Sequence, residues 1–506
     1  MNLLDSAWIP VRADNGVGPF YLLTFEQLLC GDKPWAVSLP RDDLELACIQ
    51  LLTCMTQVMF LPSDDPELRA HVAAPLKPEQ FADQVAFFQG WFDLDHPTQP
   101  FMQTQGVQAK EITPIQKLLI GLPEGNNHAF FNEVGEVQRL GSPVAAIALF
   151  NQAMNCPSFG GGFKGGLRGG APVTTLVSGH DLRETVWRNV LTLPRVRERL
   201  PDYEPNFSID VPTWIQPIRD REIIHSHQIG LARGLFWQPA HVKLVKADEE
   251  VSCDMVGGIP STAYVGFCKE KFNFTVKGVW PHPHGSYIEA IKKGVLEKKF
   301  ISFTTTAPAW THLSEFVVPR ELKGTDIKEG CSPAGAIIQA GDLYKREKLH
   351  LLIGGYRNKQ ASILERRHEM ISLASNWKDN NERLIKLIEF GKKAKKILRG
   401  QLWFARQGNK NRKLKGIGIT IDDLGEKLYY NRTETLFYET FNNELTFKEW
   451  KEAKKNFTEK TASICKKIHE ELTDPYAHKP ELVPIIAWTR RRLNKELNEL
   501  SEKISL

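Results

Sequence analysis

The hydrophobic pattern of this 506-residue chain changes at about residue 375, and that change limits the folds it can adopt. Before it, short β-rich runs such as 173–177 and 272–276 are interspersed with helical segments such as 42–60, in no regular order. After it, four segments carry apolar residues at helical spacing, with short connections between them. The pattern predicts an α+β chain in which a large mixed α/β domain, residues 1–375, precedes a bundle of four helices, residues 376–506.

A glycine-rich stretch, SFGGGFKGGLRGG at residues 158–170, lies inside the first predicted domain. Seven of its thirteen residues are glycine, which leaves backbone N–H groups uncovered and permits positive φ. Lys164 and Arg168 stand between the glycines and favour an anionic partner, either a phosphate or a nucleic acid. The G-x-G-x-x-G spacing does not predict a dinucleotide site, because the predicted helix precedes it and the predicted strand follows it. A plain flexible loop is the alternative.

A second feature is a one-sided run of charge. The net charge of +5 is too small to indicate nucleic-acid binding by itself. Residues 391–416, however, contain ten Lys or Arg residues and no Asp or Glu, with Trp403 and Phe404 among them. This basic run predicts a surface for a polyanion or an acidic protein, with an ordinary solvated helix face as the alternative.

Composition and cysteine usage limit the class of protein. With 42% hydrophobic and 25% charged residues, the chain has the composition of a soluble globular protein. Its eight cysteines form no C-x-x-C pair, so neither a zinc knuckle nor a disulfide framework is predicted. No export signal and no membrane-spanning stretch is evident. These features predict a cytoplasmic protein with no membrane partner and no cofactor.

Few residues suggest catalysis. His180 and Asp181 form the dipeptide of metal-dependent phosphohydrolases, and His282 and His284 could both ligate a metal. That chemistry needs further His and Asp ligands at helical spacing, and none is arranged convincingly. We therefore predict that the chain is not an enzyme. A metal-dependent phosphohydrolase or nuclease stays open as the alternative.

A series of longer sequence blocks runs along nearly the whole chain in one order. They are WIPVR at 8–12, SLPRDD at 38–43, PFMQT at 100–104, ALFNQA at 148–153, the glycine stretch with PVTT at 172–175, RGLFWQPAH at 233–241, KEKF at 269–272, WPHPH at 280–284, GGYRN at 354–358 and QASILERRH at 360–368. In these blocks the chain resembles the CasA family, the large subunit of the type I-E CRISPR Cascade surveillance complex. The resemblance implies a large α/β domain followed by a four-helix bundle, in agreement with the hydrophobic pattern.

The resemblance implies recognition of a short motif beside the target in double-stranded DNA, followed by the start of strand separation. Guide-RNA pairing then identifies the target sequence. Gly161 matches a glycine loop that brings backbone close to the minor groove, and Lys271 matches a lysine finger that enters that groove. Gln360 matches a glutamine wedge that separates the first target base pair. Taken singly, Lys271 could be a surface lysine and Gln360 could cap a following helix.

Further residues take roles from the same resemblance. Phe130, Phe131 and Asn132 match a loop that anchors the subunit near the 5′ end of the guide RNA, although the two aromatic residues could instead belong to the core. Some family members bind zinc through cysteines, but Cys253 has no close cysteine neighbours, so no metal site is predicted. Candidates for contact with the DNA backbone are Lys164, Lys292, Lys293, Lys299, Asn358 and Lys359. Candidates for contact with the displaced strand are Lys392, Lys393, Lys396, Arg399, Lys410 and Arg412.

The implied partners follow from that role. They are the target DNA, the guide RNA, the backbone, small and 5′-handle-binding subunits of Cascade, and a separate helicase–nuclease that the complex recruits. A general nucleic-acid-binding scaffold, which would not discriminate between flanking motifs, is the remaining alternative.

Overall fold

The structure is a computed structural model that describes residues 1–109, 111–122, 135–201, 203–248, 251–252, 260–292, 295–322, 329–444 and 446–505. Two compact units make up the chain. The first comprises residues 1–305, 315–343 and 350–370, and the second comprises residues 306–314, 344–349 and 371–506. Two short segments thus precede residue 371 in sequence but belong to the second unit. The division into functional domains at residue 375 stays a prediction.

The described ranges contain both strands and helices, which confirms the predicted α+β class. The strands are β1 Ile9–Arg12, β2 Phe20–Leu23, β3 Ala36–Val37, β4 Thr113–Pro114, β5 Leu140–Gly141, β6 Thr174–Ser178, β7 Glu222–His225, β8 His241–Lys246, β9 Val251–Ser252, β10 Pro260–Ser261, β11 Ala263–Glu270, β12 Phe274–Lys277, β13 Tyr287–Lys292, β14 Val295–Phe300, β15 Glu329–Ser332, β16 Leu349–Lys359 and β17 Ser362–Leu373. The helices are α1 Phe25–Cys30, α2 Asp42–Met59, α3 Asp65–Ala73, α4 Pro78–Val85, α5 Ser142–Met154, α6 Leu182–Arg188, α7 Leu193–Arg199, α8 Leu231–Leu235, α9 Leu313–Val317, α10 Gly335–Leu343, α11 Asn381–Gln407, α12 Asp422–Asn442, α13 Trp450–Thr473 and α14 Val483–Ser505.

Two buried helices form the centre of the first unit. Helix α2 confirms the helix predicted over residues 42–60, and nearly all of its residues are buried. Helix α5 is buried along its whole length, and the two helices pack against each other. Because both helices are buried around nearly their whole circumference, the pair lies inside the first unit and not on its surface.

The described strands form several small sheets. Strand β11 pairs with β4, β5 and β8, while β13 lies between β14 and β15. Strand β16 lies between β6 and β17, and its pairing with β6 is antiparallel. Strand β12 pairs with β7 in parallel. The glycine stretch follows α5, Lys271 follows β11 and Gln360 follows β16.

The second unit contains the predicted bundle of α11, α12, α13 and α14, in which α11 packs against each of the other three helices. Leu384, Leu387, Leu398 and Leu402 of α11 are all buried, as the helical spacing of apolar residues predicts. Among the described helices, none has both the length and the apolar composition that crossing a membrane requires.

Two glycines of α11 give a test of bundle packing. A Cβ atom on Gly391 would lie 2.2 Å from Cζ of Phe437, whose ring stacks on Trp310 at 3.6 Å between centroids. We expect Gly391→Ala to lower the free energy of unfolding by about 1–3 kcal/mol, because the ring has no room to move. Gly400→Ala, with nothing within 4 Å of the added atom, is the control and should raise it by about 0.5–1 kcal/mol. Denaturant unfolding followed by circular dichroism measures both, and equal effects would contradict the packing argument.

Candidate nucleic-acid interface

The glycine stretch forms an exposed loop between α5 and β6. Gly160, Gly161 and Gly162 all have positive φ, at 82°, 56° and 89°, a region that residues with a side chain rarely adopt. The loop turns through a hydrogen bond of 2.9 Å from the Phe163 amide to the Gly160 carbonyl. A Cβ atom on Gly161 would meet nothing within 4 Å. Gly161 therefore faces open space on the side where a side chain would stand, which leaves room for a partner to approach.

Aromatic side chains hold this loop on strand β11. The Phe159 ring lies 5.6 Å from the Phe267 ring and 5.5 Å from the Phe163 ring, measured between centroids. The ammonium group of Lys269 lies 5.4 Å from the centroid of the Phe159 ring. The glycine loop is thus attached to strand β11 by the contact between the Phe159 and Phe267 rings and by the Lys269 ammonium over Phe159.

Lys271 follows the end of β11 and extends across the glycine loop. Its Nζ atom donates a hydrogen bond of 3.0 Å to the Gly161 carbonyl and lies 3.5 Å from the position a Cβ atom would take on Gly162. The side chain is exposed. An ammonium group has three donors, so this contact leaves two for a ligand placed on the loop.

Gln360 lies at the tip of the hairpin formed by β16 and β17, in a two-residue turn with Ala361. Its φ is +55°, and the Asn358 side-chain amide donates a hydrogen bond to its carbonyl. Gln360 does not cap a helix, because the residues that follow it form a strand. The tip reaches the glycine loop, since a Cβ atom on Gly160 would lie 3.3 Å from that of Ala361.

The elements that carry Gly161, Lys271 and Gln360 therefore meet at one exposed surface, which we call the loop–hairpin surface. Beneath it, Cys156 and Ala171 from the two ends of the loop segment form one apolar cluster with Tyr356 of β16. Ile363 of β17 packs against the same cluster. Apolar packing under both elements holds the tip of the hairpin beside the loop.

The other predicted DNA contacts are spread more widely. Lys164 and Lys359 are exposed on the loop and on the hairpin, respectively, and Asn358 is half-buried beside the hairpin tip. Lys299 is exposed on β14, in a different sheet, and Lys292 is the last residue of the neighbouring strand β13. Lys293, and the docking candidates Phe130, Phe131 and Asn132, lie outside the described residues.

Arg168 differs from the expectation that both cations of the glycine stretch face a partner. Its side chain is buried, and its guanidinium donates to the Thr174 hydroxyl at 3.1 Å and to the Met154 carbonyl at 3.3 Å. Burial lowers the pKa of Arg168 to about 9. This arginine joins the two ends of the loop from inside, and the sequence could not distinguish it from the exposed Lys164.

The bundle brings acidic side chains to the basic run. Helix α12 supplies Asp422, Asp423 and Glu426, so the run is less one-sided in the fold than in the sequence. The ion pairs are Lys393–Glu389, Lys395–Glu426, Arg399–Asp423, Arg399–Glu426, Arg406–Asp422 and Lys415–Glu481, with N–O distances from 2.8 to 3.6 Å. Lys392 is half-buried, whereas Lys396, Lys410 and Arg412 are exposed. The guanidinium of Arg412 lies 5.7 Å from the centroid of a Trp488 ring.

Of the residues considered for metal-dependent hydrolysis, Asp181 caps a helix and two of the histidines are buried. The Asp181 carboxylate accepts a hydrogen bond of 2.8 Å from the Glu184 amide and caps helix α6, while His180 is exposed beside it. His282 and His284 are each 1% exposed. Among the described residues, no group of three or more His, Cys, Asp or Glu side chains is placed to hold a metal ion. The hydrolase alternative gains no support from this arrangement.

The buried histidines predict acid sensitivity. Burial, assisted by the Arg168 cation, lowers the pKa of His284 to about 3, so His284 is neutral in the folded chain near neutral pH. Below its unfolded pKa of about 6.5, only the unfolded chain takes up this proton, so stability present above that pH is lost as the pH falls. We expect a loss of about 2 kcal/mol from this group between pH 7.5 and 5, measured by denaturant unfolding. In His284→Asn this contribution to the loss of stability should disappear. If the pH dependence of unfolding is unchanged in that variant, His284 is not its source.

Comparison with known proteins places the chain in a family. The model of the family described as CRISPR-associated protein Cse1 matches residues 2–468. The chain belongs to the Cse1 family. Cse1 from Acidimicrobium ferrooxidans is 14% identical with a TM-score of 0.72, covering 100% of this chain and 99% of that one. CasA (Cse1) from Thermus thermophilus is 16% identical with a TM-score of 0.70, covering 99% of both chains.

A chain of a structure titled "CRISPR RNA-guided surveillance complex" is also similar, at 16% identity and a TM-score of 0.63, over 97% of this chain and 99% of that one. At identities this low, the similarity to these solved structures shows a shared fold and nothing further. The Cse1 match confirms the family resemblance drawn from the sequence blocks. The sequence alone does not indicate Lys269 as a contact, although this lysine alternates with Lys271 in the KEKF block and its ammonium lies over the Phe159 ring of the glycine loop.

Proposed function

We propose that the chain is the large subunit of an RNA-guided CRISPR surveillance complex of the Cascade type. In that complex it recognises the motif beside the target in double-stranded DNA and starts strand separation, without catalysis of its own. One observation carries the proposal: Lys271 lies 3.0 Å from the Gly161 carbonyl, and the Gln360 turn lies against the same glycine loop. Family membership and the similarity to a chain of a surveillance complex support it.

The loop–hairpin surface fits a minor groove. That groove is about 6 Å wide and presents mainly acceptor atoms at base edges, so it suits a narrow donor-rich probe. The Lys271 ammonium supplies such donors, and the open backbone at Gly161 allows the groove wall to come close. Because base edges in the minor groove are degenerate, a protein that uses this surface would accept several related motifs.

The hairpin fits the role of a wedge. Gln360 sits at the end of two long paired strands, of 11 and 12 residues, so its position is fixed by a rigid support. Insertion at the edge of the motif would unstack one base step, at a cost of about a few kcal/mol. Contacts with the motif and the first guide–target pairs would offset that cost.

Exposed cations would extend the contact to phosphates. Lys164 and Lys359 flank the loop–hairpin surface, and Lys299 lies on a further sheet of the same unit. In the bundle, Lys396, Lys410 and Arg412 are the exposed members of the basic run that best fit a displaced strand. The proposal also includes docking to guide RNA and neighbouring subunits through Phe130, Phe131 and Asn132, and recruitment of a helicase–nuclease.

The proposal is tested with guide-loaded complex assembled with and without this chain. Binding is measured to duplexes that contain the same target and differ only in the flanking trinucleotide. We expect tight binding to require both the chain and a permitted trinucleotide. If the chain raises affinity for all flanks equally, the general scaffold is the better account, and if it changes nothing the proposal fails.

A further inference from the structure

A continuous chain of buried hydrogen bonds runs beneath the loop–hairpin surface. Arg168 Nη2 donates to Asn155 Oδ1, and Asn155 Nδ2 donates to Asn151 Oδ1 at 2.8 Å. Asn151 Nδ2 then donates to the Tyr356 hydroxyl at 3.0 Å, and that hydroxyl donates to Asp43 Oδ2 at 2.8 Å. All five side chains are less than 9% exposed. The donors all point the same way, from a cation at one end to a carboxylate at the other.

The residues of this hydrogen-bond chain come from the glycine stretch, from helix α5 and from strand β16, whose relative placement forms the loop–hairpin surface. Arg168 belongs to the glycine stretch, Asn151 and Asn155 lie at the end of α5 just before it, and Tyr356 is four residues before Gln360 on β16. Thr174 on β6 adds a side branch to the hydrogen-bond chain. Its hydroxyl accepts a hydrogen bond from Arg168 at 3.1 Å and donates one to Asn155 at 3.2 Å.

Hydrogen bonds and apolar packing constrain position differently. The apolar cluster beneath the surface tolerates small shifts, whereas a buried donor or acceptor that loses its partner keeps the whole cost of its desolvation. Hydrogen bonds in series also polarise one another, so breaking one link weakens the rest. The hydrogen-bond chain therefore favours one placement of β16 relative to the glycine loop.

We propose that Tyr356 and Thr174 are positioning residues that act through this hydrogen-bond chain, fix the Gln360 turn relative to the glycine loop, and thereby set how strictly flanking motifs are discriminated. The inference rests on the proposed function. Neither side chain would touch DNA, since Tyr356 is 2% and Thr174 is 1% exposed.

The test uses guide-loaded complex and the ratio of affinities for duplexes with a permitted and a non-permitted trinucleotide. Tyr356→Phe and Thr174→Val each remove one hydroxyl with little change in shape, and each should lower the ratio by about tenfold. The double variant should lower it little further than Tyr356→Phe alone, because the Thr174 branch acts through the same hydrogen-bond chain, which Tyr356→Phe already interrupts. Tyr203→Phe is the matched control: it removes a buried hydroxyl 3.3 Å from the Asp210 carboxylate, outside both elements, and should leave the ratio unchanged.

The outcomes separate this inference from the proposed function by including Lys271→Ala in the same assay. If Lys271→Ala abolishes discrimination while Tyr356→Phe and Thr174→Val keep the wild-type ratio, the positioning role is overturned and the proposed function stands. Multiplicative effects in the double variant, or an equal loss in Tyr203→Phe, would also overturn it. If Lys271→Ala retains full discrimination, the proposed function itself fails. Should Tyr356→Phe not fold, Thr174→Val alone decides, by the same ratio.

Discussion

Lys271→Ala is expected to remove most of the discrimination between permitted and non-permitted flanking trinucleotides in the guide-loaded complex. The Nζ atom of Lys271, held 3.0 Å from the Gly161 carbonyl, is placed to donate to base-edge acceptors of a DNA groove lying on the loop. Loss of one good base contact is worth about 1–3 kcal/mol, so the affinity for the permitted flank should fall about 10- to 100-fold. Affinity for a non-permitted flank should change much less.

The control for this prediction is another exposed lysine of the same unit. Lys277→Ala, at the end of β12, removes the same charge but lies outside the loop–hairpin surface. It should lower affinity for both flanks by the same small factor, and more so at low salt. If Lys271→Ala also weakens both flanks equally, Lys271 acts as a phosphate contact and not as a recognition residue.

Gln360→Ala is expected to slow opening of an intact duplex but not binding to a duplex that is already open. Gln360 is exposed at the tip of a rigid hairpin, where its side chain could occupy the place of an unstacked base. Unstacking costs about a few kcal/mol per step, so the variant should bind an intact permitted target roughly tens-fold more weakly than the wild type. A target with mismatched first base pairs should restore wild-type affinity.

Two observations would separate a wedge from a simple contact. Ser362→Ala, just beyond the turn, removes another exposed polar group and should behave as the wild type on both substrates. A Gln360→Ala defect that persists on the pre-opened target would contradict the wedge, because no base pair then remains to be separated.

The sequence predicted those features that depend on local pattern. Helix α2 was predicted because residues 44–60 are the most apolar stretch of the chain, and the glycine loop because seven glycines in thirteen residues favour no regular element. The strand after Gln360 was not predicted, because the charged residues of 362–373 equally suit a helix, although the segment pairs with the adjacent strand β16. The hydrogen-bond chain from Arg168 to Asp43 was also missed, since its members are far apart in sequence.

The placement of charged side chains was also not predictable from local sequence. The run at residues 391–416 contains no acid, yet α12 places carboxylates against Lys395, Arg399 and Arg406. Arg168 and Lys164 are only four residues apart, yet one is buried and the other exposed. Local charge in a sequence therefore indicates candidates, and only tertiary packing decides which cations face a partner.

The most direct test of the account is to observe the first target base pair during binding. A fluorescent adenine analogue is placed in that pair, beside a permitted or a non-permitted trinucleotide, and guide-loaded complex with the wild-type chain or Gln360→Ala is added. We expect a rise in fluorescence from the unstacked base only with the wild-type chain and a permitted flank. A rise that is independent of the flank, or that persists in Gln360→Ala, would contradict the claim that the loop–hairpin surface recognises the motif and opens the duplex.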